Sequence, residues 1–170
     1  NTETKINNTE TKINNTETET DNTETETDNT ETDNTEIEKD NNICIIGHSK
    51  GGLIAMHCNE FMTEGNIDQI ITIASPIQGT VMANLGMDTI TRQELIPGSE
   101  PIKQIQTVIK TNKHTSYYHI AVEKDHIVVP SIRSAIPHGH PLDKCHIIKN
   151  VGHGSILHSS ELVKTLLKWI

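Results

Sequence analysis

The chain is 170 residues long, carries 23 acidic against 14 basic side chains for a net charge of −9, and is only 2% aromatic. That length allows one domain, and with no basic stripe the charge balance argues against a nucleic-acid surface. No apolar run is long enough to span a bilayer, so no transmembrane segment is expected, and no charged-then-apolar leader opens the chain.

The acidity is concentrated at one end. Residues 1–41 hold 13 Asp and Glu against 3 Lys, whereas the remainder holds 10 acids against 11 Lys and Arg. Residues 1–40 repeat a seven-residue unit, Asn-Thr-Glu-Thr-Lys-Ile-Asn twice and then more acidic variants. A coiled coil needs an apolar seam, and these units hold at most one apolar residue each. Residues 1–41 therefore read as a disordered acidic Asn/Thr/Glu repeat tail, and 42–170 as the folded part. Cys44, Cys58 and Cys145 are odd in number and lie in apolar segments, so buried free thiols are expected rather than a disulfide framework.

The folded part opens on residues 43–46, a continuous apolar run suited to a parallel strand covered on both faces. At Lys50 the period changes. Leu53, Ile54, His57, Cys58 and Phe61 share a helical face, Gly51, Gly52 and Ala55 thin the first turns, and Gly65 closes the helix. Residues 67–74 are rich in β-branched side chains and form the next expected strand, ended by Ser75-Pro76. Residues 77–100 are broken by Gly79, Gly86, Pro97 and Gly98, with a short helical piece at 87–95. Such a segment suits a mobile cover over a site, and equally a long connection. Pro101 starts an amphipathic helix carrying Ile102, Ile105, Val108 and Ile109. Strands follow at 117–122 and 145–148. A last helix begins near Ser160, with Leu162, Val163, Leu166, Leu167 and Ile170 on one face. Strands alternating with helices imply an α/β fold with a parallel sheet, and in such sheets chemistry gathers at the carboxyl ends of the strands.

Gly47-His48-Ser49-Lys50-Gly51 sets a serine between two glycines at the junction of the first strand and helix, the pattern of a nucleophile elbow. Glycine is expected at 47 and 51 because a side chain at either would collide with so sharp a turn. A serine hydroxyl needs a base within hydrogen-bond reach, itself oriented by a carboxylate. Asp125 and His153 follow the third and fourth strands and supply the order Ser49, Asp125, His153. The backbone N–H of Lys50, at the amino end of the helix, is placed to donate to an oxyanion. His126 competes for the base and Asp143 for the acid. His138, His140 and His146 invite a metal site but lack a convincing ligand set, and neither a metal nor a cofactor is expected. Met56, Phe61 and Met62 read as core rather than substrate groove. The side chains of His48 and Lys50 line the mouth of the site, plain solvent exposure being the other reading for Lys50.

Gly47-His48-Ser49-Lys50-Gly51-Gly52 resembles the elbow of bacterial lipases and lipase-like serine esterases of the α/β-hydrolase superfamily. Thr72-Ile73-Ala74-Ser75-Pro76-Ile77-Gln78-Gly79-Thr80 is similar to their segment after the next strand, and Leu95-Ile96-Pro97-Gly98-Ser99 to their lid-side segment. Glu123-Lys124-Asp125-His126-Ile127-Val128-Val129-Pro130 resembles their acid loop, and Val151-Gly152-His153-Gly154-Ser155-Ile156-Leu157 their histidine loop. The resemblance implies hydrolysis of a carboxylic, lipid-type ester through an acyl-Ser49 intermediate.

That family has about eight strands and a second oxyanion donor from an early loop. Nothing before Ile43 suits those strands. The expected architecture is thus a partial α/β-hydrolase fold, its carboxyl-terminal half: about four parallel strands with flanking helices, preceded by the repeat tail. An upstream segment or a second chain is expected to complete the sheet, since the strand at 43–46 otherwise leaves an apolar edge open. The alternative to a hydrolase is a catalytically incomplete fragment or a non-enzymatic interaction module.

Overall fold

The computed structural model describes residues 42–61, 67–85 and 90–170, all within one unit, Lys39–Ile170. The repeat over 1–41 lies outside the described residues, as do Met62, Gly65, Gly86 and Met87. Strands β1 (Ile43–His48), β2 (Ile67–Ile73), β3 (Ser116–Val122) and β4 (Cys145–Ile148) form one sheet in the order β1-β2-β3-β4, with every neighbouring pair parallel. Helix α1 (Lys50–Phe61) follows β1. A short α2 (Ile90–Gln93) and then α3 (Glu100–Thr111) lie between β2 and β3, α4 (Ser131–Ala135) between β3 and β4, and α5 (Ser160–Trp169) after β4. Parallel neighbours need crossovers of this kind, so the alternation fixes the α/β class.

Successive residues of a strand point to opposite faces, and β2 shows both faces buried. Ile70 packs with Leu53, Met56, Ile102 and Ile105 under α1 and α3. Ile71 and Ile73 pack with Ile120, Ile148, Ile156 and Leu162 under α5. Double cover is why residues 70–74 are apolar at every position but Thr72.

Strand β1 departs from that expectation. Ile43 and Ile46 are 37% and 44% exposed, and Cys44 is exposed as well. Only Ile45 packs against the α1–α3 cluster, while the α5 cluster draws its strand residues from β2, β3 and β4. Among the described residues, β1 is a sheet end with apolar side chains in solvent.

Three other expectations fail for related reasons. The buried stripe of α1 is Gly52, Leu53, Ala55, Met56 and Asn59, so Ile54 and Phe61 point outward and Phe61 is not core. Asn59 turns the stripe inward because its amide donates to Tyr117 Oη (2.8 Å) and Thr115 Oγ1 (3.1 Å) at the start of β3. On α5, Leu162 is buried, and Leu166 and Trp169 pack beside the same cluster, while Val163, Leu167 and Ile170 are exposed. The thiols are free but not buried: Cys44 and Cys58 are exposed and Cys145 is half-buried. They sit on the uncovered side of β1, the outer side of α1 and the edge strand β4.

Candidate active site

Strand β1 ends at His48 and α1 begins at Lys50, so Ser49 alone makes the turn between them. Its φ is +54°, a left-handed conformation that L-residues avoid. Hydrogen bonds hold it there: Ser49 N–H donates to Ile73 O on β2 (2.8 Å), and Gly52 N–H donates back to Ser49 O (3.1 Å). Gly47 is required by space, since a Cβ there would lie 2.6 Å from Gly52 Cα. Gly51 is not, because a Cβ there meets nothing within 4 Å. The collision expected at Gly51 belongs instead to Gly52, whose added Cβ would sit 2.8 Å from Ser75 Cβ and against its Oγ. That contact joins α1 to the end of β2, and local sequence spacing does not reveal it.

Asp125 lies in the loop after β3. Its Oδ1 accepts the N–H groups of Ile127 (2.8 Å) and Val128 (2.9 Å), which close a tight turn around the carboxylate. The Thr80 hydroxyl braces this turn, donating to Ile127 O (2.9 Å) and accepting from Val129 N–H (2.9 Å). Sequence reading had no role for Thr80 here; its only signal is the Gly79-Thr80 pair after β2.

His153 lies in the loop after β4, where Gly152 N–H donates to Ser155 Oγ (2.8 Å). Asp125 Oδ2 is 2.8 Å from His153 Nδ1, and Ser49 Oγ is 2.8 Å from His153 Nε2. The carboxylate is only an acceptor, so these bonds assign the proton to Nδ1 and leave Nε2 to accept from the serine hydroxyl. The Asp125 side chain is 1% exposed and that of His153 10%. The three residues thus form one hydrogen-bonded chain that ends at a half-buried hydroxyl.

The competing candidates lie elsewhere. His126 and Asp143 are exposed, with Asp143 in the turn before β4. His140 donates through Nε2 to Tyr117 O (2.9 Å), His146 pairs with Glu161 (3.0 Å) and His138 is exposed, so these three do not converge. Lys50 Nζ pairs with Glu94 (3.0 Å) beyond α2, and both side chains are about two-fifths exposed. Its backbone N–H stands in the first turn of α1, where helical amides have no partner within the helix. His48, expected only at the mouth, donates through Nε2 to the backbone oxygen of His153 (2.9 Å), with the two rings 4.9 Å apart.

A second histidine pair joins His119, buried in β3, to the half-buried His140 in the loop before β4. His119 Nδ1 meets Thr72 Oγ1 at 2.8 Å, and its ring stands edge-on to His140 at 4.6 Å. Burial, and secondarily His140, pushes the His119 pKa down to about 3. Burial also lowers that of His140.

Residues 30–92 match the family model of the PGAP1-like alpha/beta domain. The PGAP1-like match includes the elbow, α1 and β2 and stops short of Asp125 and His153. Among solved structures, the product of gene lin2722 from Listeria innocua is similar at 20% identity with a TM-score of 0.43, over 74% of this chain. The chain spans 56% of that protein's length. No curated protein matches.

Proposed function

We propose that the chain is a lipase-like serine hydrolase acting on carboxylic, lipid-type esters, with Ser49 as nucleophile, His153 as general base and acid, and Asp125 orienting the imidazole. The observation that carries this reading is the unbroken chain from Ser49 Oγ through both nitrogens of His153 to Asp125 Oδ2, each link 2.8 Å. The PGAP1-like match over the elbow supports a hydrolase-type domain. Ser49 Oγ attacks the ester carbonyl carbon as His153 Nε2 takes the hydroxyl proton, and Asp125 stabilises the imidazolium. The negative charge that forms on the carbonyl oxygen is met by the Lys50 N–H and the positive end of α1. Collapse breaks the carbon–alkoxide bond, His153 returns its proton to the leaving alcohol, and acyl-Ser49 remains. Water then repeats the sequence and releases the acid.

An apolar acyl group is favoured by a cavity of about 210 Å³ between α1 and α3, lined by Leu53, Ile54, Leu95, Ile102 and Ile105, with Lys50 and Glu94 among the lining residues. Turnover of p-nitrophenyl butyrate and decanoate, lost in Ser49→Ala, tests the reading; equal rates in the two proteins would refute it.

The exposed apolar β1 favours a second reading, in which the chain is catalytically incomplete until an upstream segment or second chain completes the sheet. Activity that rises with protein concentration, or on adding such a segment, would distinguish it.

A further inference from the structure

We infer that His48 is a positioning residue that ties the loop carrying the base to the strand carrying the nucleophile. The inference rests on the reading of His153 as the base. Ser49 and His153 leave the sheet from β1 and β4, its two opposite ends in the order β1-β2-β3-β4. With neighbouring strands about 4.8 Å apart, the histidine loop reaches back across roughly 14 Å to meet the elbow. Side-chain bonds to Asp125 and Ser49 hold its imidazole. Its backbone is held by the residue before the nucleophile, as His48 Nε2–H donates to His153 O at 2.9 Å. The link closes a short circuit: His48 to Ser49 through the chain, Ser49 Oγ to His153 Nε2, and His153 O back to His48.

One link of that circuit breaks during turnover. Once Ser49 Oγ carries an acyl group it has no proton to donate, so its bond to His153 is lost. Among the described residues, the His48 tie is then the hydrogen bond that still connects β1 to the loop while His153 activates water. Its loss therefore slows deacylation more than acylation.

The test uses the full chain with His48→Ala, which removes the donor, and His48→Gln, which returns an N–H at similar reach. With p-nitrophenyl butyrate, His48→Ala should slow deacylation about 5-fold, the usual scale for one neutral hydrogen bond. Acylation should stay within about twofold, so a burst appears, and His48→Gln should return the balance towards wild type. The low-field proton NMR signal of His153 Nδ1–H should be sharp in the wild type and His48→Gln and broadened in His48→Ala. Equal slowing of both steps, or identical behaviour of the two variants, overturns the inference. If the wild type shows no ester turnover, the hydrolase reading fails and the NMR signal decides: broadening in His48→Ala alone upholds the tie, and an unchanged signal overturns it.

Discussion

Asp125 presents its two oxygens to different tasks: Oδ1 takes the amides of Ile127 and Val128, and Oδ2 takes His153 Nδ1–H. Asp125→Asn can keep the first set through its amide oxygen, but it turns an NH₂ towards Nδ1 and so favours the wrong tautomer of the base. Ser49-dependent ester turnover should fall by about 10³- to 10⁴-fold. The folded backbone should persist, read by an unchanged far-UV circular dichroism spectrum. A loss under tenfold would contradict the role given to this carboxylate.

The elbow glycines divide by what surrounds them. Gly47→Ala and Gly52→Ala push a Cβ into packed atoms and should destabilise by about 1–3 kcal/mol or more. Gly51→Ala meets open space on a helix and should be neutral or stabilising by up to about 1 kcal/mol. Urea unfolding of the three variants checks this, and a Gly51→Ala midpoint as low as the others would contradict it.

Ser49 is held at φ +54°, a conformation suited to glycine. Ser49→Gly should therefore raise stability over Ser49→Ala by about 1 kcal/mol while both abolish ester turnover. Thermal unfolding compares them directly, and equal midpoints would mean that the turn stores no strain.

His119 links stability to pH. Its pKa is about 3 in the folded protein, below the ordinary 6.5, so between these values the unfolded chain binds the extra proton. Its contribution is whole above pH 6.5 and is lost as pH falls towards 3, with His140 acting in the same sense. The urea midpoint should drop across that window. His119→Asn, which keeps a hydrogen-bonding partner near Thr72, should flatten the slope, and a slope unchanged in that variant would contradict the assignment.

The sequence revealed most where the information is local. Strand β4 spans 145–148 and α5 starts at Ser160, where their local residue patterns put them, and Pro101 marks the first turn of α3. Ser49, Asp125 and His153 stand out in the sequence as candidates because each lies just beyond a strand, and the structure brings their side chains into hydrogen-bond contact. What was not legible depends on partners distant in the chain. Phe61 looks like core until Asn59 finds Tyr117, and Gly52 looks like a spacer until Ser75 packs on it. The Thr80 brace and the His48 tie span 49 and 105 positions, and no periodicity reports such pairs.

The most direct measurement is covalent: treat the chain with a fluorophosphonate and map the adduct by peptide mass spectrometry. The account predicts a single adduct on Ser49, strongly reduced in His153→Ala and absent in Ser49→Ala. No adduct, or one whose yield is the same in Ser49→Ala, would contradict the claim that Ser49 is an activated nucleophile.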